Sequence, residues 1–388
     1  GHSCQFAERL LPRETSVTNL LHAIGLMSGT SMDGIDVASV HTDGEQVLEH
    51  GEARSYPYEP QERELLSQAM AEAAALSHRN ERPGVLACAE QMITDRHATA
   101  IESFMRETGA SHSDVDIIGF HGQTVFHQPE RRLTVQIGDG AALAKACRIP
   151  VICDMRAADV AIGGQGAPMA PVYHRAIASR LPELPAAFVN VGGVSNVTWV
   201  GADGTLLAFD TGPGNALMDD WAMQHLNKPV DLDGALARSG TLNEQALHDC
   251  LAHHYFDLPV PKSLDRGDFT LHPVEHLSPA DGAATLAHFT ASSIIHAAAW
   301  FHEPPQTWII CGGGRRNRYL MELLAWYAET PVVPAEAIGC NGDAIEAEAW
   351  AYMAVRSMKQ LPLSYPTTTG VPEPSIGGIR FSADGARE

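Results

Sequence analysis

Apolar and polar positions alternate in short runs at two places far apart in the chain, and both places show the same order. Residues 23–50 (AIGLMSGTSMDGIDVASVHTDGEQVLEH) read as a strand, a small polar turn, a second strand, an Asp43-Gly44 turn and a third strand. Residues 187–210 (AFVNVGGVSNVTWVGADGTLLAFD) repeat that order, with an Asp203-Gly204 turn. Asp-Gly between alternating apolar runs is a strong hairpin signal, because both residues tolerate the positive φ of a tight turn. Two three-stranded meanders suggest two related domains, with chance recurrence of hairpins as the other reading.

Elsewhere the apolar residues recur three and four apart, the period of a helix with one buried face. This predicts helices near 61–76, 85–108, 140–147, 215–226, 281–301, 317–328 and 343–358. Strands are predicted at 115–120 (VDIIGF), 151–155 (VICDM) and 307–311 (TWIIC), with a hairpin ending at 133–138 (LTVQIG). Gly and Pro cluster in 161–168 (AIGGQGAP), the expected crossing between domains, while 229–270 reads as loop-rich. Meanders followed by helices imply mixed sheets with helical cover, an α/β protein.

A length of 388 residues exceeds what one core usually holds and favours two domains. The formal net charge is −21, from 26 Lys+Arg against 47 Asp+Glu. Such a surface repels nucleic acid and anionic membranes, so a bound phosphate must be held by local backbone donors. No run is apolar for the ~20 residues of a membrane span. The seven cysteines (Cys4, Cys88, Cys147, Cys153, Cys250, Cys311, Cys340) form no CxxC pair, which excludes a zinc knuckle or disulfide framework. The first residues carry Glu8, Arg9, Arg13 and Glu14 around Pro12 and no signal-peptide core, so a reducing cytoplasm is the expected compartment.

Three glycine-rich turns follow apolar strands: Ser28-Gly29-Thr30-Ser31, Asp210-Thr211-Gly212-Pro213-Gly214-Asn215 and Gly312-Gly313-Gly314. Such turns expose successive N–H groups and let a phosphate approach without meeting a Cβ. Two of them feed a helix N-terminus, which favours anions. Three, spread over both halves, point to phosphate cradles more than to ordinary turns. The P-loop pattern GxxxxGK[ST] is absent, Gly312-x-Gly314 lacks the third glycine of a dinucleotide fingerprint, and no HExxH occurs. His121 and His127 read as hydrogen-bonded turn residues in preference to zinc ligands.

The segments GLMSGTSMDGID (25–36), HGQT (121–124), VQIG (135–138), GGQGAP (163–168), NVGGVSN (190–196), FDTGPGN (209–215) and CGGGRRN (311–317) are similar to signature segments of the anhydro-N-acetylmuramic acid kinases. They stand in that family's order over nearly the whole chain. The resemblance extends to the actin/hexokinase/Hsp70 superfamily. It implies two RNase-H-like domains, 20–160 with the tail 366–388 and 161–365, closing over a cleft with nucleotide at its base. The implied reaction opens the 1,6-anhydro bridge of the sugar with water and phosphorylates O6 from ATP and Mg²⁺. By resemblance, Gly29, Thr30, Ser31, Met32, Asp33, Gly34, Ile35 and Asp36 form the phosphate hairpin, and Gly212 and Gly214 a second phosphate turn. Gly312, Gly313 and Gly314 resemble the adenosine shelf, and Asp210 the catalytic base. Gln165 and Glu346 match sugar-contacting positions, with His121 and Gln136 as further candidates. A homodimer is implied in the same way.

Two departures qualify the resemblance. Ser28 stands where many related sugar kinases have Asp, so Mg²⁺ is expected on phosphate oxygens and water, with Asp33 or Asp36 behind them. The stretch GCNGDAIEAEAWAYMA around Glu346 departs from the family pattern and leaves the exact sugar open. Another anhydrosugar such as levoglucosan remains an alternative. So does a nucleotide-driven module without a sugar, against which Asp210 with GPGN and the polar set His121, Gln136 and Gln165 speak.

Overall fold

The computed structural model describes residues 20–46 and 48–388; Cys4 and the charged N-terminal run lie outside the described residues. The first meander is β1 (Leu21–Ser28), β2 (Gly34–Thr42) and β3 (Leu48–Pro57), antiparallel throughout. β4 (Ile117–Gln128) lies parallel to β1, β5 (Leu133–Ile137) folds back on its far half, and β6 (Val151–Cys153) lies parallel to β4. The second sheet repeats the plan. β7 (Ala186–Val191), β8 (Val194–Val200) and β9 (Leu206–Pro213) form the meander, and β10 (Thr307–Cys311) and β11 (Val332–Pro334) extend it in parallel from β7. A last strand, β12 (Ile379–Phe381), returns to the first sheet and pairs antiparallel with β6. The echo in the sequence is therefore a repeated topology: in each sheet an antiparallel meander is extended from its first strand by parallel strands.

Helices α1 (Pro60–Ala73), α2 (Leu86–Thr108) and α3 (Gly140–Cys147) cover one face of the first sheet. Their Leu66, Ile93, Phe104 and Leu143 share a core with Ile24, Leu26, Val37 and Phe120. After the short α4 (Ala157–Ala161), α5 (Pro171–Ala178) begins with proline, which suits a first helical turn because its missing N–H has no partner there. Four more helices, α6 (Ala216–Leu226), α7 (Ala235–Ser239), α8 (Glu244–Leu251) and α9 (Pro279–His296), and then α10 (Arg318–Ala328), cover the second sheet. There Leu217, Trp221, Phe289 and Leu320 pack with Val189, Val197 and Trp308.

Helix α11 (Ile345–Met358) is buried nearly all round, as expected of a helix without a polar face. The expected boundary at 365 would assign it to the second unit, yet it packs on β1, β2 and β4 of the first sheet. Its core also joins Ala23 and Val40 of that sheet to Phe188 and Ile309 of the other, so α11 lies between the two units. Glycine makes the contact possible. A Cβ on Gly25 would stand 1.7 Å from the Ala347 carbonyl oxygen, and one on Gly119 2.1 Å from that of Trp350. The short α12 (Pro366–Thr369) follows. His121 and His127, expected in a turn, both lie inside β4, which continues beyond residue 120 because β5 provides a pairing partner. No helix among the described residues is long and apolar enough to cross a membrane.

Candidate active site

A cavity of about 190 Å³ opens between the units, with Arg156, Asp210, Lys262, Cys311, Glu346 and Trp350 on its walls. Asp210 stands in β9 opposite Asn196 of β8. Its backbone N–H donates to the Lys262 carbonyl (3.0 Å), and its Oδ2 accepts the Leu264 N–H (2.8 Å). Its own carbonyl accepts the Tyr255 hydroxyl (2.6 Å). The loop over 255–264 thus clamps this residue on three sides. Burial pushes the Asp210 carboxyl up to about 7; the Leu264 N–H opposes the shift and the nearby charge of Asp265 adds to it. A carboxyl with that proton affinity can take a proton near neutral pH.

Glu346 sits in the first turn of α11 and faces the same cavity. It is exposed to the open cleft, and the protein atoms around its carboxylate displace part of its water. That desolvation raises its proton affinity, with Arg156 opposing and Asp36 reinforcing. Arg156, just before α4, donates from Nη1 to the Gly166 carbonyl (2.7 Å) and from Nε to His121 Nε2 (3.1 Å). Its guanidinium lies 5.0 Å from the Trp350 ring centre. Burial lowers the Arg156 pKa to about 10, against the charges of Glu346 and Asp159.

Because a guanidinium only donates, His121 Nε2 accepts, and its Nδ1–H donates to the Gly122 carbonyl (2.7 Å). Burial, then the Arg156 charge, holds this imidazole neutral. His121 therefore stands behind the wall and fixes Arg156. Gln165 lies at the rim: its N–H donates to the Thr369 carbonyl (2.8 Å) and its Oε1 accepts the hydroxyl of Ser263, a wall residue (3.4 Å). Gln136 is not brought to the wall. Its Nε2 donates to the hydroxyls of Thr124 (3.1 Å) and Thr134 (2.8 Å), partners supplied by the β4–β5 hairpin itself.

The first glycine turn is braced from beneath. Fully buried Ser28 donates to Gln123 Oε1 (2.6 Å) and meets the Tyr58 hydroxyl (2.7 Å), while Gln123 Nε2 donates to the Gly29 carbonyl (3.1 Å). The Met32 N–H closes the turn onto the same carbonyl (3.1 Å), with Met32 at φ +56°. Thr30 and Ser31 are exposed at the tip. A Cβ on Gly29 would meet only the Met27 and Ser31 side chains, at 3.8 and 3.9 Å, so the protein itself does not crowd it. Gly34 is explained otherwise, since its Cβ would stand 2.4 Å from the Tyr56 carbonyl oxygen. Asp36 accepts the Ser55 hydroxyl (2.6 Å), and burial raises its pKa, with Asp343 and Asp33 adding to the shift.

The second turn corrects the sequence reading. The N–H groups of Gly214 and Asn215 already donate to the carbonyls of Gly193 (2.9 Å) and Gly192 (2.7 Å), so they are not open to a phosphate. Gly214 is glycine because a Cβ would stand 2.1 Å from the Gly192 carbonyl oxygen, and a Cβ on Gly212 would meet Ser293 Oγ at 2.8 Å. In the third turn, Gly312 and Gly314 are likewise pressed against Asn190 and Val191, whereas a Cβ on Gly313 would meet only Asn215 Nδ2, at 3.7 Å. Beside Gly313 lies a second cavity of about 370 Å³, walled by Asn215, Met218, Val230, Asp233 and Arg316. The described residues contain no group of three or more His, Cys, Asp or Glu side chains able to hold a metal ion.

Arg156 and Lys262 were not singled out by the sequence. Arg156 follows the predicted strand VICDM and precedes the Gly/Pro crossing, a place where a buried cation could have been suspected. Lys262 lies in the stretch read as loop, where no periodicity marks a site.

The family model for anhydro-N-acetylmuramic acid kinase matches residues 21–383. The enzyme of that name from Rhodopseudomonas palustris is 53% identical over 362 residues, covering 93% of this chain and 99% of its own length. The one from Agrobacterium fabrum is 48% identical over 367 residues, covering 93% of this chain and 98% of its own. Among solved structures, a ROK hexokinase from Thermus thermophilus aligns with 87% of this chain and 99% of its own, at 16% identity and a TM-score of 0.39.

Proposed function

The chain belongs to the anhydro-N-acetylmuramic acid kinase family, and from that premise we propose that it uses ATP and water to convert anhydro-N-acetylmuramic acid into N-acetylmuramic acid 6-phosphate and ADP. The observation that carries the mechanism is Asp210: a clamped carboxylate on the cavity wall, with its pKa pushed up to about 7, sharing that wall with Glu346. Water is a poor nucleophile, and a carboxylate beside the anomeric carbon makes it a better one by accepting its proton. As water bonds to C1, the C1–O6 bond breaks and its electron pair stays on O6. O6 then bonds to the γ-phosphorus as the bond to the ADP oxygen breaks. Phosphoryl transfer asks the protein mainly for alignment and charge neutralisation.

In this reading Thr30, Ser31 and the exposed tip around Gly29 receive the outer phosphates, and the cavity beside Gly313 receives the nucleoside. Glu346 orients the sugar, with the Arg156 charge opposing its protonation. A Mg²⁺ carried by the nucleotide would offset phosphate charge. Ser28 is buried and bonded, so Asp33 and Asp36 of the same hairpin are the carboxylates that would stand behind such an ion. The division into 20–160 with 366–388 and 161–365 is adopted with one amendment, that α11 bridges the two units. The cytoplasm is the proposed compartment.

The test is Asp210→Asn, nearly isosteric but unable to accept the proton. Turnover should fall by at least ~10³-fold while Kd for ATP and sugar stay within a few-fold. Near-normal turnover would move the base to Glu346.

A further inference from the structure

Asp159 is absent from the walls of the cavity, yet part of the wall is built on it. It lies in α4 and is 1% exposed. Among the described residues, no cation stands within ion-pair distance of its carboxylate. Neutral donors hold it instead. Oδ1 accepts the Gly166 N–H (2.6 Å), and Oδ2 accepts the hydroxyls of Ser364 (2.5 Å) and Thr369 (2.5 Å). Its backbone carbonyl accepts the Gly164 N–H (2.9 Å). The segment GGQGAP is thus wrapped on one carboxylate. A Cβ on Gly164 would stand 2.2 Å from Oδ1, and Gly166 delivers its N–H at a φ of +68°.

Hydrogen bonds from neutral donors could be met by an amide, so a buried charge there calls for a further reason. Arg156, three residues earlier, supplies it. Its Nη1 donates to the carbonyl of Gly166, the residue whose N–H Asp159 holds. Burial lowers the Arg156 pKa, and the charges of Glu346 and then Asp159 oppose that loss. Thr369 ties in the rim: its hydroxyl donates to Asp159, and its carbonyl accepts the Gln165 N–H. We propose that Asp159 is a positioning residue, which from behind the wall fixes the Arg156 guanidinium and the Gln165 rim where the sugar meets them. This rests on the function proposed above and deepens it. With Nε held by His121 and Nη1 by Gly166, Arg156 keeps the two donors of Nη2 over.

The experiment is steady-state kinetics of the full chain with anhydro-N-acetylmuramic acid and ATP. Asp159→Asn is nearly isosteric, but its oxygen is a weaker acceptor and its amide forces the two hydroxyls to turn. It should raise KM for the sugar about 10-fold, with kcat and the KM for ATP within about three-fold of native, the signature of lost ground-state binding. The pair Ser364→Ala and Thr369→Val keeps the charge without its hydroxyl donors, and should move the sugar KM the same way. Arg156→Met should raise that KM by about 10- to 100-fold. Adding Asp159→Asn to Arg156→Met should change it little further, because both act through one guanidinium. Effects that multiply in the double variant, or equal losses for sugar and ATP, would mean that Asp159 serves only the fold and would overturn the proposal. A native sugar KM in Asp159→Asn and in the hydroxyl pair, or in Arg156→Met, would overturn it as well. A native chain that forms no sugar phosphate from ATP would overturn the function, and this inference with it.

Discussion

At the scale of single residues the account turns on two raised carboxyls with different neighbours. Asp210 is pushed up to about 7 mainly by burial, so its working, ionised form grows in as pH rises through that value. The acid limb of kcat/KM should bend near pH 7 and disappear in whatever activity Asp210→Asn retains. Stability moves the other way. The folded state holds a proton that the unfolded chain, at its ordinary 3.8, has released, so this group's stabilising share is complete below about pH 4 and lost as pH rises to about 7. Asp210→Asn carries no such loss. Its unfolding free energy relative to the native chain should be higher at pH 8 than at pH 4, by an amount on the order of 1–3 kcal/mol, with Tm moving in the same direction. An unchanged Tm difference across that range would contradict the burial argument. Glu346, whose raised pKa Arg156 opposes, lines the cavity proposed for the sugar, so Glu346→Ala should raise KM for the sugar and leave that for ATP nearly alone. Equal losses for both would indicate damage to α11. That Asp210 lines the cavity follows from its place in FDTGPGN, whereas Glu346 rests on resemblance alone, in a stretch that departs from the family pattern. Arg156 and Lys262 were not legible, because their position depends on how two distant loops meet over one cavity.

Among elements, the glycines separate into those that make room for ligand and those that make room for protein, a distinction invisible in sequence. A side chain at Gly29 meets no protein atom closer than ordinary contact, so Gly29→Val should fold normally and lose ATP affinity by roughly 10-fold or more, read by calorimetry. Unchanged affinity in a folded variant would remove the phosphate-cradle reading. Gly25 is the opposite case. Its hydrogen faces the Ala347 carbonyl, next along the helix from Glu346, and an alanine there must lift α11 off β1. Gly25→Ala should destabilise by about 1–3 kcal/mol or more, measured by denaturant unfolding. A neutral effect would mean that α11 does not rest on the sheet as described. The FDTGPGN turn misled for the same reason: its Gly214 serves loop-to-loop contact, and its N–H groups are taken by Gly192 and Gly193. The meanders, α2, α3 and β10 were all readable, since strong periodicity and turn chemistry fix them locally. α5 and β11 were not, because short elements owe their existence to packing.

In the whole molecule, two sheets of one plan face each other across α11, and the cavity lies where loops of both converge. The repeated meander announced this plan in the sequence. What the sequence hid is that α11, late in the chain, packs on the first sheet, so the cleft wall carrying Glu346 is anchored to the unit opposite Asp210. Such an arrangement suits a reaction in which water attack and phosphoryl transfer share one sugar. The most direct measurement is the position of the isotope in product made from anhydro-N-acetylmuramic acid and ATP in ¹⁸O-water. The account predicts one ¹⁸O on the anomeric hydroxyl of the sugar 6-phosphate and none in its phosphate. Label in free phosphate with the anhydrosugar unchanged would mean plain ATP hydrolysis and would contradict the coupled mechanism.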